Sequence, residues 1–354
     1  MTSRMHRLMH GEMEFDFVGL RRRWLIISSV MIGVSLLALA VFQLNLGLEF
    51  RGGVAVATEN PSGATVPELR EAIRATGIAD PRIQLVDDGA AVRIQTGALD
   101  QDAEDAMVDA ISAVTGTNRI DASIDAVGPT FGALVARQAL IALVVFLAAA
   151  ALFITVRLQW KMAMAGLVAL FHDLIITVGI YALTGFEVTP ATVVAILTIL
   201  GYSLYDTVVV FDKVREFEAD LADVLPYEEI VNRSMNQVLV RSLATSLTSL
   251  LPVGSLLFVG AILLGAASLQ EFALALFVGI GVGTYSSIFV AGPLLAKWRG
   301  GEAEWVEHRE RLEKRAAAKE ARTAPSVQPS GTDAPQQAPA GVIARPPKQK
   351  RRRR

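Results

Sequence analysis

Two ionisable residues lie inside apolar runs, where an ionisable side chain is costly to place. Asp206 occurs in GYSLYDTVVVFDKVRE, with apolar residues continuing to Phe211, and Arg241 occurs in MNQVLVRSLATSLTSLLP. If both runs cross a membrane from the same side in opposite directions, these side chains lie at comparable depth. Charged groups at such depth rarely face lipid. The pair can belong to a proton path or form a structural ion pair, and the residues alone leave both interpretations open.

Small polar side chains accompany both positions. Tyr202 and Ser203 share a predicted helix face with the aspartate, while Thr245 and Thr248 follow the arginine at the fourth and seventh positions. A ladder of this kind is typical of a proton path or hydrated crevice. Because hydroxyl residues also pack helices together in membranes, the ladder by itself is weak evidence.

A second ionisable pair, His172-Asp173, occurs near the middle of the run ALFHDLIITVG. Histidine titrates near physiological pH, and a carboxylate inside a membrane is a functional candidate. The alternative is a buried pair satisfied by neighbouring hydroxyls such as Thr177. With no cysteine in the chain and His172 the only histidine away from its ends, we expect no disulfide, metal site or cofactor.

The composition predicts that these residues belong to a membrane protein. The chain has 354 residues, 52% hydrophobic and 19% charged, with a mean hydropathy of +0.43. Six apolar runs are each long enough to cross about 30 Å of hydrocarbon as a helix: Trp24–Leu44, Ala139–Val156, Met162–Leu183, Ala191–Phe211, Leu243–Leu264 and Phe272–Ala296. The first exceeds the apolar region of a cleaved signal and is interpreted as a retained anchor.

Charge segregation predicts the orientation. Residues 45–136 contain six Arg against fourteen Asp and Glu, whereas residues 297–354 contain fifteen Lys and Arg against seven acidic residues. The two small outer loops, around Thr184–Pro190 and Gly265–Glu271, contain no Lys or Arg, whereas the segments on the other side carry both. Basic loops remain cytoplasmic. We therefore expect a multi-pass protein of the bacterial cytoplasmic membrane with both termini in the cytoplasm.

The predicted organisation is a cytoplasmic arm (1–23), a first transmembrane helix (24–44), an extracytoplasmic domain (45–137), a bundle of five further helices (138–298) and a cytoplasmic tail (299–354). Within the tail, we expect an exposed helix over Glu302–Glu320, disorder over Ala321–Pro347 and a basic end. That end is interpreted as an anchor contacting membrane lipids, with no specific nucleic acid as partner.

The outer domain shows alternating strand and helix patterns. The order β-α-β-β-α-β predicts a ferredoxin-like α+β fold, which by itself assigns no function. The predicted elements are a strand with a glycine pair at Leu48–Thr58, a helix at Val66–Thr76, a hairpin of Arg82–Val86 and Ala91–Thr96, a helix at Asp100–Val114 and a strand at Arg119–Val127.

Four segments together resemble the SecD/SecF family over about residues 15–298: GLEFRGGV, VGPTFGALVARQAL, ALFHDLIITVGIYAL, and GYSLYDTVVVFDKVRE followed by RSLATSLTSLLP. The GYS–DTVVVFD form is nearer to the SecF branch. Two residues depart from that branch, since Tyr205 stands where Asn is usual and Arg51 where Thr is common.

The resemblance implies an RND-like half-bundle of six helices that pairs with SecD. It implies the SecY-SecE-SecG channel, YajC and the translocating preprotein as further partners, and the proton-motive force as the energy source for preprotein translocation and membrane insertion. Asp206 and Arg241 match family positions linked to proton flow, and Asp173 matches the third-helix motif. No ATP site or hydrolytic centre is expected, so the resemblance implies no enzyme.

Two other functions stay open. An RND-type, proton-coupled exporter of lipids or small molecules would need a large apolar portal, for which an outer segment of about ninety residues looks small. A scaffold without transport activity would use the Asp206–Arg241 pair for structure alone.

Overall fold

The computed structural model describes residues 15–79, 81–263 and 267–323. The predicted N-terminal arm up to residue 14 and the tail from residue 324 lie outside them. The chain divides into two units, Met1–Leu312 and Glu313–Arg354. The first unit contains the domain and the bundle, and the helix predicted after the bundle is confirmed as Ala303–Thr323.

Among the described residues, six helices are long and apolar enough to cross a membrane, as predicted. We call them the first to sixth spans: Arg21–Phe42, Pro129–Arg157, Trp160–Thr184, Pro190–Leu221, Tyr227–Ser255 with a π-helical continuation Leu256–Leu263, and Ala267–Ser286 with a π-helical turn Ser287–Ala291 leading into Gly292–Gly300.

The ends of the helices differ from the apolar runs. The fifth span begins at Tyr227 rather than Leu243, because a helix can continue beyond the apolar stretch into polar sequence. Its π-helical continuation follows Pro252, whose ring removes one backbone donor from the ladder of hydrogen bonds. Hydropathy therefore predicted the position of each span but not the residues at which its helix begins and ends.

The domain between the first and second spans is a four-stranded antiparallel sheet with two helices. The helices Val66–Ala75 and Gln101–Thr115 cover one face, where alternate strand residues form the core with Leu69, Ile73 and Met107. The sheet order is β3-β4-β2-β5. After a short strand β1 (Asn45–Leu46), its strands are β2 (Gly53–Glu59), β3 (Arg82–Val86), β4 (Ala91–Thr96) and β5 (Ser123–Val127).

The first predicted strand was partly wrong. Leu48–Arg51 forms a helical turn, and β2 begins only at Gly53. Gly52 and Gly53 take positive φ angles of 71° and 138°, which let the chain change direction between the two. A Cβ on Gly53 would lie 2.1 Å from the carbonyl oxygen of Thr96, so the two backbones approach closely here.

The last predicted strand was too long. Arg119–Asp121 is a 3-10 turn, and β5 starts at Ser123. Ile120, in this turn, is 91% exposed. The apolar residues alternate through this turn as they do in the strand, so the sequence pattern alone did not reveal where the strand begins.

The domain is tied to the bundle through the loop between the third and fourth spans. Strand β1 pairs in parallel with β6 (Glu187–Val188) in that loop. Arg93 on β4 forms an ion pair with the buried Glu187 at 3.7 Å. The start of the domain and one face of its sheet are thereby fixed against the end of the third span.

Glycines set the closest helix contacts in the bundle. A Cβ on Gly179 would lie 2.3 Å from Cβ of Ser35 in the first span, and one on Gly279 would lie 2.4 Å from Ile199. A Cβ on Gly283 would lie 2.9 Å from Cβ of Ser203, whereas one on Gly281 would have no atom within 4 Å. Gly279 and Gly283 therefore allow close helix contacts, whereas Gly281 does not.

We expect Gly179→Ala to lower the thermal unfolding midpoint of the purified protein in detergent, since overpacking costs about 1–3 kcal/mol. Gly281→Ala is the matched control, because its added methyl group enters open space. Equal midpoints for the two variants would contradict the close contact between the first and third spans.

Candidate functional site

Asp173 lies at the meeting point of three spans. Its side chain is fully buried, and its Oδ2 accepts hydrogen bonds from Ser203 Oγ at 2.6 Å and Ser286 Oγ at 2.8 Å. The donors come from the fourth and sixth spans, while Asp173 belongs to the third. The carboxyl group therefore joins these helices through two short hydrogen bonds away from solvent.

His172 completes this group. Its Nδ1 lies 3.1 Å from Oδ1 of Asp173, and its ring stacks on Tyr285 with centroids 6.0 Å apart. Within the described parts of the chain, Nε2 of His172 and the hydroxyl of Thr177 are buried without a hydrogen-bond partner. The predicted hydroxyl neighbours of the pair thus exist, but they are serines of other spans rather than Thr177.

Asp206 forms a separate site between the fourth and fifth spans. It is 5% exposed, and its Oδ1 accepts a hydrogen bond from Ser242 Oγ at 2.7 Å. Its Oδ2 is buried and has no hydrogen-bond partner among the residues that the structure describes. One half of this carboxyl group is therefore available to a proton or a water molecule.

Arg241 does not pair with this carboxylate. Among the described residues, no ion pair within 4.0 Å joins the two side chains, and Arg241 instead donates to the Tyr205 hydroxyl at 3.3 Å. It is exposed and lines a cavity of about 460 Å³ that Arg157 and Lys213 also border. The structural ion pair that the sequence left open is absent here.

The other predicted polar residues are dispersed. Thr245 and Thr248 donate to carbonyl oxygens of their own helix, and Thr248 is exposed. Tyr202 has a buried hydroxyl without a partner in the described residues. Ser203 is the one member of this predicted face that reaches a carboxylate, and that carboxylate is Asp173.

Hydroxyl contacts that the sequence reasoning missed join the sixth span to the fourth and to the fifth. Thr207 and Ser287 share a hydrogen bond of 2.9 Å, and Ser287 donates to the carbonyl oxygen of Ser203 at 3.2 Å. Thr284 donates to Ser246 at 2.7 Å. The signal was the spacing of Ser242 and Ser246 by one turn, together with the Ser286-Ser287 pair in an otherwise apolar helix.

The two carboxylate sites meet along one face of the fourth span. Ser203 and Asp206 lie on neighbouring turns of the same face of the fourth span, with about 1.5 Å of rise per residue. A hydroxyl both donates and accepts hydrogen bonds, so side chains of this kind can link a carboxyl group to a neighbouring helix. Among the described residues, no group of three or more His, Asp or Glu side chains could hold a metal ion.

Comparison with known proteins identifies the family. The model of Protein export membrane protein SecD/SecF, C-terminal, matches residues 107–301, which include both carboxylates. The protein translocase subunit SecF of Streptomyces coelicolor is 42% identical over 320 residues, covering 90% of this chain and 84% of the relative. The chain belongs to the SecD/SecF family. SecF of Thermodesulfovibrio yellowstonii is 34% identical over 80% of this chain and 95% of the relative.

A solved SecD/SecF structure agrees with the fold. The crystal structure of SecDF, a translocon-associated membrane protein from Thermus thermophilus, matches with a TM-score of 0.73 and 34% identity. The match covers 82% of this chain and 39% of that longer chain. With six apolar helices and this family, the chain is a multi-pass membrane protein.

We expect Ser203→Ala and Ser286→Ala each to destabilise the protein in detergent by roughly 1–3 kcal/mol, because a buried acceptor loses a donor. The double variant should lose more than the sum, since Asp173 Oδ2 then has neither donor. Ser255→Ala, which removes an exposed hydroxyl bonded to its own helix, is the control. Additive losses would argue against a shared acceptor.

Proposed function

We propose that this chain is the SecF-type subunit of a Sec translocase, which works with SecD to promote preprotein translocation across, and insertion into, the cytoplasmic membrane. Its relatives are named as protein translocase subunits. The observation that carries the mechanism is the buried Asp206 with one bonded and one free oxygen. A carboxylate in such a place points to ion movement.

Protonation of Asp206 supplies the working step. When the proton binds at the free oxygen, the side chain becomes neutral and the cost of holding a charge between the fourth and fifth spans disappears. When the proton leaves, the charge returns and favours a hydrated arrangement. One elementary charge moved across 100 mV is worth about 2.3 kcal/mol, enough to shift a two-state equilibrium roughly fifty-fold.

Arg241 acts at the entrance rather than at the carboxylate. Its guanidinium group lies in the cavity between the second, fourth and fifth spans, one residue from the serine that binds Asp206. There it keeps water and counter-ions near the end of the path. The Asp173 group, with His172, holds the third, fourth and sixth spans in register and contributes a second titratable site.

The outer domain transmits the change. We infer that it is a ferredoxin-like module on the extracytoplasmic side, held by the pairing of β1 with β6 and by the Arg93–Glu187 ion pair. A shift of the third and fourth spans would move their connecting loop and with it the domain. The SecY-SecE-SecG channel and YajC complete the assembly, and the preprotein is its substrate.

The absence of native cysteine allows the orientation to be tested directly. We expect a membrane-impermeant maleimide to label Asp102→Cys in intact spheroplasts, because that exposed side chain belongs to the outer domain. The exposed Glu304→Cys should react only after the membrane is permeabilised. The reverse pattern would overturn the proposed topology.

The proton step is tested by preprotein export in cells lacking the native copy. We expect Asp206→Asn to abolish the stimulation of export at matched membrane abundance, because an amide cannot exchange the proton. Arg241→Gln should reduce export less, since the side chain lies outside the buried site.

Asp220→Asn is the matched control, because it removes an exposed carboxylate of the same helix that does not line the cavity. Export should remain at the wild-type level in that variant, and SecD should co-purify with all of them. Undiminished export by Asp206→Asn would remove the proton step and leave a structural subunit.

A further inference from the structure

A groove of about 460 Å³ opens on the surface of the bundle where the first span begins and the helix Gly292–Gly300 ends. Three cationic side chains line one end of it, Arg21, Arg22 and Lys297. Apolar side chains of the first span continue from them along the groove: Leu25, Ile26 and Val30. Among the described residues, none that lines the groove is acidic.

Helix geometry produces this division. Arg22, Ile26 and Val30 are four residues apart, so they form one straight row along the helix, beside the row that Arg21 and Leu25 form. Ile26 is 54% and Val30 59% exposed, so the apolar part faces away from the protein interior. The row from Arg22 to Val30 extends about 12 Å into the membrane.

The three cations differ from others at the same end of the bundle. Arg299 pairs with Glu218 at 2.5 Å, Arg309 with Glu228 at 2.8 Å, and Lys161 with Glu302. Within the described ranges, the cations of the groove have no ion pair or side-chain hydrogen bond. Three like charges gathered without a counter-ion repel one another, so the groove is complementary to an anion.

We propose that this groove is a binding site for one anionic phospholipid. Its phosphodiester group contacts Arg21, Arg22 and Lys297, and an acyl chain lies along Leu25, Ile26 and Val30. A lipid fits better than a soluble anion, because the groove joins a cationic end to an exposed apolar row at the depth of the membrane interface. Basic pockets between helices at this level suit anionic head groups.

The test measures retention of phosphatidylglycerol and phosphatidylcholine by the purified full chain in detergent, using native mass spectrometry. We expect one tightly held phosphatidylglycerol and weaker phosphatidylcholine. Arg22→Gln and Lys297→Gln should each weaken phosphatidylglycerol binding roughly fivefold, since a basic residue near an anionic head group contributes about 1 kcal/mol. An excess of glycerol 3-phosphate should not displace the lipid.

Arg23→Gln is the matched control, because Arg23 belongs to the same basic triplet and is exposed but does not line the groove. It should bind phosphatidylglycerol as the wild type does. The proposal is overturned if Arg23→Gln weakens binding as much as Arg22→Gln, if the two lipids bind equally, or if glycerol 3-phosphate competes. The first result would indicate general surface charge, and the last a site for a free phosphate.

Discussion

The need to satisfy carboxyl groups inside a membrane constrains the whole bundle. With no water in the hydrocarbon core, each buried carboxyl group requires donors from neighbouring helices. Asp173 obtains them from Ser203 and Ser286, which fixes the rotation of the fourth and sixth spans about their axes. Gly283 permits this by leaving room for Ser203, and Gly179 brings the first span against the third. The glycines are therefore part of the polar site as much as of the packing.

Asp173 and Asp206 differ in how many of their carboxyl oxygens accept hydrogen bonds, which indicates different roles. Asp173 has both oxygens in hydrogen bonds and links three helices, so it suits a structural centre around which the bundle turns. Asp206 has one oxygen bonded to Ser242 and one free, so its protonation state can change with less rearrangement. The hydroxyls of Thr207 and Ser287, which follow Asp206 and Ser286 in the sequence, share a hydrogen bond that joins the fourth and sixth spans.

Sequence patterns could predict the spans, the buried carboxylates and the order of elements in the outer domain, because hydropathy and periodicity depend on local composition. They could not predict which helices lie opposite one another. Ser203 shares a face with Asp206, yet its hydroxyl bonds to Asp173 in another span. Arg241 and Ser242 are adjacent, but about 100° separates consecutive residues of a helix, and only the serine faces the carboxylate. The Leu48–Arg51 turn was missed because apolar alternation resembles a strand until the glycines end it.

The π-helical turn Ser287–Ala291 has a consequence for how the sixth span can move. Such a turn accommodates one extra residue, which is how the consecutive Ser286 and Ser287 can both point inward, one to Asp173 and the other to Thr207. If this insertion migrated along the helix by one turn, the segment it passed would rotate by about 100° while both ends stayed in place. Such a migration would exchange the inward hydroxyls of the sixth span without sliding the helix through the membrane.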